Sequence, residues 1–197
     1  SCLMILPDGN PKAYLQIAHG MCGCKERFLP FMEYMAAKGI ACIANDHRGH
    51  GESILTADDL GYMYDGGYEA LVGDMRMVFE FVSDSYPAAP FYLLGHSMGS
   101  LASLLYSREW PKSLAGLVLS GIPYYELTFF HPYTLLKHLC DSGYGRMRLF
   151  RLQNIGSARY NHRFADEGNL AWVCSDPGVR KELISNPNCN FTFTING

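Results

Sequence analysis

No apolar run in the 197-residue chain approaches the ~18 residues of a membrane span, so no segment reads as a transmembrane helix. Charge of one sign is also scarce. Sixteen basic residues against nineteen acidic ones leave a formal net charge of -3, which gives no basic field for a nucleic-acid partner. Internal repeats and low-complexity tracts are missing. The 48% hydrophobic and 18% charged content is the balance of a globular domain rather than a disordered chain. The seven cysteines (2, 22, 24, 42, 140, 174 and 189) are odd in number and lack the spacing of a disulfide framework. Most therefore read as buried thiols in a reducing compartment, with the cytoplasm as default. A charged n-region and a small-residue cleavage site are both missing, so no signal peptide is read. Ser1 leads directly into an apolar run, and the natural start is read as lying outside the chain.

What is present is an alternation. Residues 2–6 are apolar, Pro7-Asp8-Gly9-Asn10-Pro11 is dense turn chemistry, and residues 13–18 are apolar again, which predicts an opening β-hairpin. Over residues 28–38, Phe28, Phe31, Met32, Met35 and Ala36 fall at helical spacing. Pro30 sits in the first turn, where its missing N–H costs nothing, and Gly39 is a stop signal. Residues 40–44 read as a buried parallel strand. A polar, glycine-rich loop follows, Asp46-His47-Arg48-Gly49-His50-Gly51-Glu52-Ser53. Residues 68–86 predict a long helix with Leu71, Met75, Val78, Phe79 and Val82 on one stripe. A strand at 91–94, a helix at 101–106 and another buried strand at 114–119 complete the pattern. This rhythm predicts an α/β fold, a parallel sheet with crossover helices on both faces. Past Gly121 the alternation stops. Residues 124–197 read as an inserted helical cap over the C-terminal edge of the sheet, leaving residues 1–123 as the core.

Gly95-His96-Ser97-Met98-Gly99 falls where a predicted strand ends and a helix begins, which is the setting of a nucleophile elbow. The turn is tight enough to require small residues on both sides of the serine. Its strain holds the Ser97 hydroxyl clear of the sheet, and the helix that follows aims free N–H groups at a reacting carbonyl. His19-Gly20 closes the second predicted strand, where the loop supplies a second oxyanion donor. By position that donor is the Met21 N–H, which with the Met98 N–H would hold an oxyanion, on the order of 3 kcal/mol per donor. His19, Gly20, Gly95, His96 and Gly99 then act as structural support. A metal reading of His19, Cys22 and Cys24 fails because zinc would need a fourth ligand and a second pair. The sequence calls for no metal and no cofactor.

Three ordered motifs carry a resemblance: His19-Gly20-Met21, Asp46 through Ser53, and Gly95-His96-Ser97-Met98-Gly99-Ser100. Together they resemble the monoacylglycerol lipase and lysophospholipase (serine aminopeptidase-like) branch of α/β-hydrolases. Ala171-Trp172-Val173-Cys174-Ser175-Asp176-Pro177 and residues 188–194 are similar to cap segments of bacterial members, so the likeness spans nearly the whole chain. It implies a serine hydrolase of carboxylic esters, most simply lysophospholipid or monoacylglycerol-like lipids, acting through a Ser97 acyl-enzyme. A small-molecule lipid or ester is the implied partner, with peripheral membrane contact through the cap as an option and the oligomeric state open. A thioesterase or peptidase of the same fold, or a non-catalytic binding pseudo-hydrolase, are the alternatives.

Two departures stand out. Gly23 and Cys24 occupy the places of a Glu-His pair in the family, while Arg27-Phe28 keep the end of that pattern. The family's triad acid and histidine follow the cap, in the chain order serine, acid, histidine, and neither is found. His131, His138 and His162 read as cap residues, as do Asp141, Asp166 and Asp176, the last a turn or helix start before Pro177. The expectation is a chain truncated after its cap, without its C-terminal strands, triad acid or base. Tyr124, Tyr125, Leu127, Phe129, Phe130, Tyr133, Leu135 and Leu136 either line an acyl-chain tunnel or pack the cap on the sheet.

Overall fold

The computed structural model describes residues 1–123, 130–148, 150, 160–168 and 170–197, with the backbone alone for 130–134. Five strands, β1 (Cys2–Ile5), β2 (Ala13–Ala18), β3 (Ile40–Asn45), β4 (Phe91–His96) and β5 (Gly116–Ser120), form one sheet in the order β1-β3-β2-β4-β5. The β3-β2, β2-β4 and β4-β5 pairs are parallel. Only β1 is antiparallel, running from Cys2 opposite Asn45 to Ile5 opposite Cys42.

The opening is therefore not a hairpin. β1 and β2 flank β3 from opposite sides, so the turn at residues 7–11 carries the chain past a strand it has yet to make. An antiparallel edge strand on a parallel sheet is a common arrangement, and local turn chemistry cannot report it.

Every residue of β2 is buried, because helices cover both faces of the sheet at its centre. Side chains alternate between those faces. Tyr14, Ala18, Ala41, Ile43, Phe91 and Leu93 face the helices α2 (Gly67–Ser85) and α3 (Met98–Glu109), meeting Leu71, Met75, Val78, Val82, Ala102 and Tyr106. Leu15, Ile17, Cys42 and Ala44 face α1 (Leu29–Ala36), where Met32 is fully buried. The expected α2 stripe is the buried one, with Val72 added and Phe79 half-buried. On α1 the apolar face is narrower than expected, since Phe31 is exposed and Phe28 and Met35 support Met32 instead.

β5 departs from expectation in burial. Among the described residues it pairs with β4 alone, and Val118 is 49% exposed.

Beyond β5 the described residues include α4 (Phe130–Leu139), a short 3-10 turn (His162–Glu167) and α5 (Pro177–Ser185). Asp176 caps α5, its carboxylate accepting from the Gly178 and Val179 N–H groups at 2.7 and 3.1 Å. Residues 189–196 then return to the core. Phe193 joins the α2–α3 cluster, Thr194 donates to the Gly61 carbonyl, and Ile195 and Asn196 donate to the Met147 and Gly145 carbonyls. No described helix is long and apolar enough to cross a membrane.

Candidate active site

Ser97 ends β4 and begins α3 with φ 54° and ψ -119°, a left-handed backbone conformation that a residue with a Cβ rarely adopts. What compels it is close packing on either side. A Cβ on Gly95 would meet the Gly99 carbonyl oxygen and the Ser103 hydroxyl, and one on Gly99 would overlap the Ala18 carbonyl of β2. The Ser97 N–H donates to the Ser120 carbonyl at 2.8 Å, tying the elbow to the end of β5. The Ser100 N–H donates to the Ser97 carbonyl, closing the first turn.

Gly20 faces the serine closely enough that a Cβ there would stand 3.0 Å from that of Ser97. Residues 20–23 form a turn closed by Gly23 N–H to Gly20 carbonyl at 3.1 Å, with Cys22 at φ 52°. Met21 tops this turn, 46% exposed, and Met98 is the first residue of α3. Neither backbone N–H is engaged by another described residue, as expected at a helix start and a turn apex.

His19 does not reach the serine. Its Nε2 accepts from the His47 N–H at 3.0 Å, so Nδ1 carries the proton and donates to the Gly20 carbonyl at 2.8 Å. His47 Nε2 donates to the His19 carbonyl and His50 Nδ1 to the Arg48 carbonyl. Each of the three rings is thereby held as a neutral tautomer, packed 4.2 to 6.3 Å apart. Burial first, then the neighbouring imidazoles, push His47 and His50 down to about 3 and His19 well below its ordinary value. Phe191 and Phe193 close the cluster, each ring 5.3 Å from His50.

A residue missed by sequence reasoning braces the same loop. Lys25 is buried, and both its backbone N–H and its ammonium donate to Asp46 at 2.8 Å. The ammonium also reaches Glu52 at 2.8 Å and Glu26 at 2.6 Å. Burial alone would lower its pKa, but the hydrogen bonds to Asp46, Glu26 and Glu52 outweigh it and raise the value. With Gly23 and Cys24 in place of the Glu-His pair, Lys25 joins the Met21 turn to the Asp46–Ser53 loop. Lys25→Met is expected to cost about 2 kcal/mol in urea unfolding, less than the ~3–5 of a broken fully buried pair, since Asp46 keeps two backbone N–H donors. Adding Asp46→Asn should restore part of the loss.

Among the described residues no histidine hydrogen-bonds the Ser97 hydroxyl. His96 sits at the surface with Nδ1 3.4 Å from the Ser120 hydroxyl. His138, His162, Asp141 and Asp166 are exposed, and Asp176 is occupied as a helix cap. The side chain of His131 lies outside the described residues, as do those of Tyr124, Tyr125, Leu127, Phe129, Phe130 and Tyr133. Leu135 is exposed and Leu136 half-buried. Glu26, Asp46 and Glu52 form an acidic group, but the Lys25 ammonium already bonds all three.

A mostly parallel sheet with a strained serine at a strand-to-helix elbow, faced by a glycine turn from a neighbouring strand, defines an α/β-hydrolase. Residues 9–197 match the family described as "Serine aminopeptidase, S33", and the chain belongs to it. It is similar to the monoglyceride lipase of Mus musculus, 31% identical over 121 residues, covering 60% of this chain and 37% of that protein. The monoacylglycerol lipase of Mycolicibacterium smegmatis is 30% identical over 115 residues, covering 58% and 39%. The chain thus spans well under half the length of these curated relatives. Among solved structures, a thermostable carboxyl esterase from Bacillus coagulans in complex with glycerol superposes with TM-score 0.89 at 25% identity, covering 99% of this chain and 64% of that one. A monoacylglycerol lipase from Paleococcus ferrophilus superposes at 0.72, with 19% identity over 99% of this chain and 65% of that one, a likeness of fold.

Proposed function

We propose that this chain carries the nucleophile and oxyanion hole of a serine hydrolase that cleaves carboxylic esters of lipid type. The observation that carries the reading is Ser97 itself, held at φ 54° between Gly95 and Gly99 at the strand-to-helix turn. A site without chemistry has no use for that strain, which weighs against a purely ligand-binding role. Ser97 Oγ attacks the ester carbonyl, the oxyanion rests on the Met21 and Met98 N–H groups, and water releases the acyl group. The acid and base that activate Ser97 come from outside residues 1–197. The substrate class follows the monoglyceride lipases and the carboxyl esterase among its relatives. Monoacylglycerols and lysophospholipids are therefore the first substrates to try, before thioesters and peptides. Residues 1–123 form the core in this reading and 124–197 the cap. Leu135, Tyr144, Met147 and Phe150 give the cap an exposed apolar surface suited to a lipid interface. Seven free cysteines fit a reducing cytoplasmic setting.

A fluorophosphonate probe read by intact mass tests this. The chain is expected to label slowly and only at Ser97, because without its base the serine keeps at most the ~10³–10⁴-fold help of oxyanion hole and binding. Ser97→Ala should abolish the adduct. Labelling that persists in Ser97→Ala would exclude Ser97 as the nucleophile. Rapid stoichiometric labelling would place a base within these residues instead.

A further inference from the structure

The two cysteines of the Met21 turn both meet the returning segment. Cys22 Sγ donates to the Phe191 carbonyl at 3.3 Å, and Cys24 Sγ lies 3.9 Å from Cys189 Sγ. Cys24 and Cys189 are buried, with Leu183 and Leu170 packed around them, although 165 positions separate them in sequence. Cys22 is the one further thiol that interacts with Cys189 among the described residues, electrostatically rather than by a hydrogen bond.

We propose that Cys24 and Cys189 are a reversible disulfide pair that locks the Met21 turn to residues 186–191. The Cys22–Phe191 bond holds the same two segments together beside the pair, and the sulfurs have 3.9 Å to close to a bond of about 2 Å. Either thiol can donate to the other; with Cys24 as donor, that hydrogen bond first and Arg27 after it favour the Cys189 thiolate against burial, which makes Cys189 the first sulfur to attack. Cys22 is a poor competitor, because burial pushes its thiol up to about 11.

With a low-molecular-weight disulfide as oxidant, the Cys189 thiolate attacks one of its sulfurs and expels a small thiolate. Cys24 then loses its proton and attacks the mixed disulfide at Cys189, expelling the second small thiol. The two cysteines lose two electrons and two protons in all, and the small disulfide becomes two thiols. The lock holds the turn that carries the Met21 N–H, so its effect on ester cleavage rests on the function proposed above, whereas the bond itself does not.

The chain would be equilibrated with graded mixtures of reduced and oxidised glutathione, quenched in acid, alkylated with N-ethylmaleimide in denaturant and peptide-mapped. A Cys24–Cys189 linked peptide should form while Cys2, Cys140 and Cys174 stay alkylated, and dithiothreitol should reverse it. The oxidised chain should melt at a higher temperature, a gain absent in Cys24→Ser. A Cys140→Ser, Cys174→Ser variant should keep both the linkage and the gain. Full alkylation of Cys24 and Cys189 in a folded sample across the whole range would overturn the proposal, as would a Cys189–Cys22 linkage. Mass reports the linkage without reference to Ser97. Probe labelling that persists in Ser97→Ala with the linkage intact would therefore remove the hydrolase reading and leave the redox pair standing.

Discussion

Acidification is expected to unfold this chain cooperatively at about pH 4–5, above the range in which carboxylates usually govern acid denaturation. His47 and His50 titrate near 3 when folded and near 6.5 when unfolded. Between those limits the unfolded chain binds protons that the folded chain refuses. Their contribution is present above pH 6.5 and is lost as pH falls toward 3. Each imidazole costs between about 1 and 2 kcal/mol per pH unit in that window, and His19 acts in the same direction. About two units of acidification, to about pH 4.5, then remove about 5 kcal/mol through His47 and His50 alone, the lower end of a typical domain stability of about 5–15 kcal/mol. Asp46 attracts the protons weakly and Arg27 repels them from His19, neither enough to reverse burial. Circular dichroism against pH, with proton uptake measured on unfolding, checks this. His50→Phe should reduce the uptake by about one proton. A transition confined below pH 3 would mean the rings are hydrated in solution.

Gly99→Ala is expected to be among the most damaging single-methyl additions in the chain. The new Cβ would overlap the Ala18 carbonyl and approach the His19 carbonyl within 2.5 Å. These are backbone atoms of the last residue of the fully buried strand β2 and of the residue after it, so no side chain can rotate away. Separating α3 from β2 should cost at or beyond the ~3 kcal/mol upper end of ordinary overpacking, with a matching drop in urea midpoint. Gly73→Ala is the control, since a Cβ there meets nothing within 4 Å and removes a flexible residue from the middle of α2. It should be neutral or stabilising. Equal tolerance of both would mean that α3 shifts freely at the elbow.

Short-range patterns exposed most of the sheet and the elbow to sequence reading. The strands at 40–44 and 91–94, the α2 stripe and the glycines around Ser97 each depend on neighbours a few residues away. The misread features depend on distant partners. Pairing of β1 with β3 is decided some forty residues downstream of the turn that looked like a hairpin. Lys25 offers no local sign that it will be buried, because Asp46 and Glu52 arrive on another loop. Cys189 likewise meets Cys24 only once the fold has brought 165 positions of chain back on itself.

The return of residues 189–196 also bears on the order of events during synthesis. Phe191 and Phe193 close over His50, and Thr194 clasps Gly61 from 133 positions away. Until that segment leaves the ribosome, the Asp46–Ser53 loop has no roof and the imidazoles stay hydrated. At about 5–20 residues per second the nascent chain spends several seconds in this open state. The sheet and α1 can assemble in that time, but the Asp46–Ser53 loop is finished only once residues 189–196 have emerged.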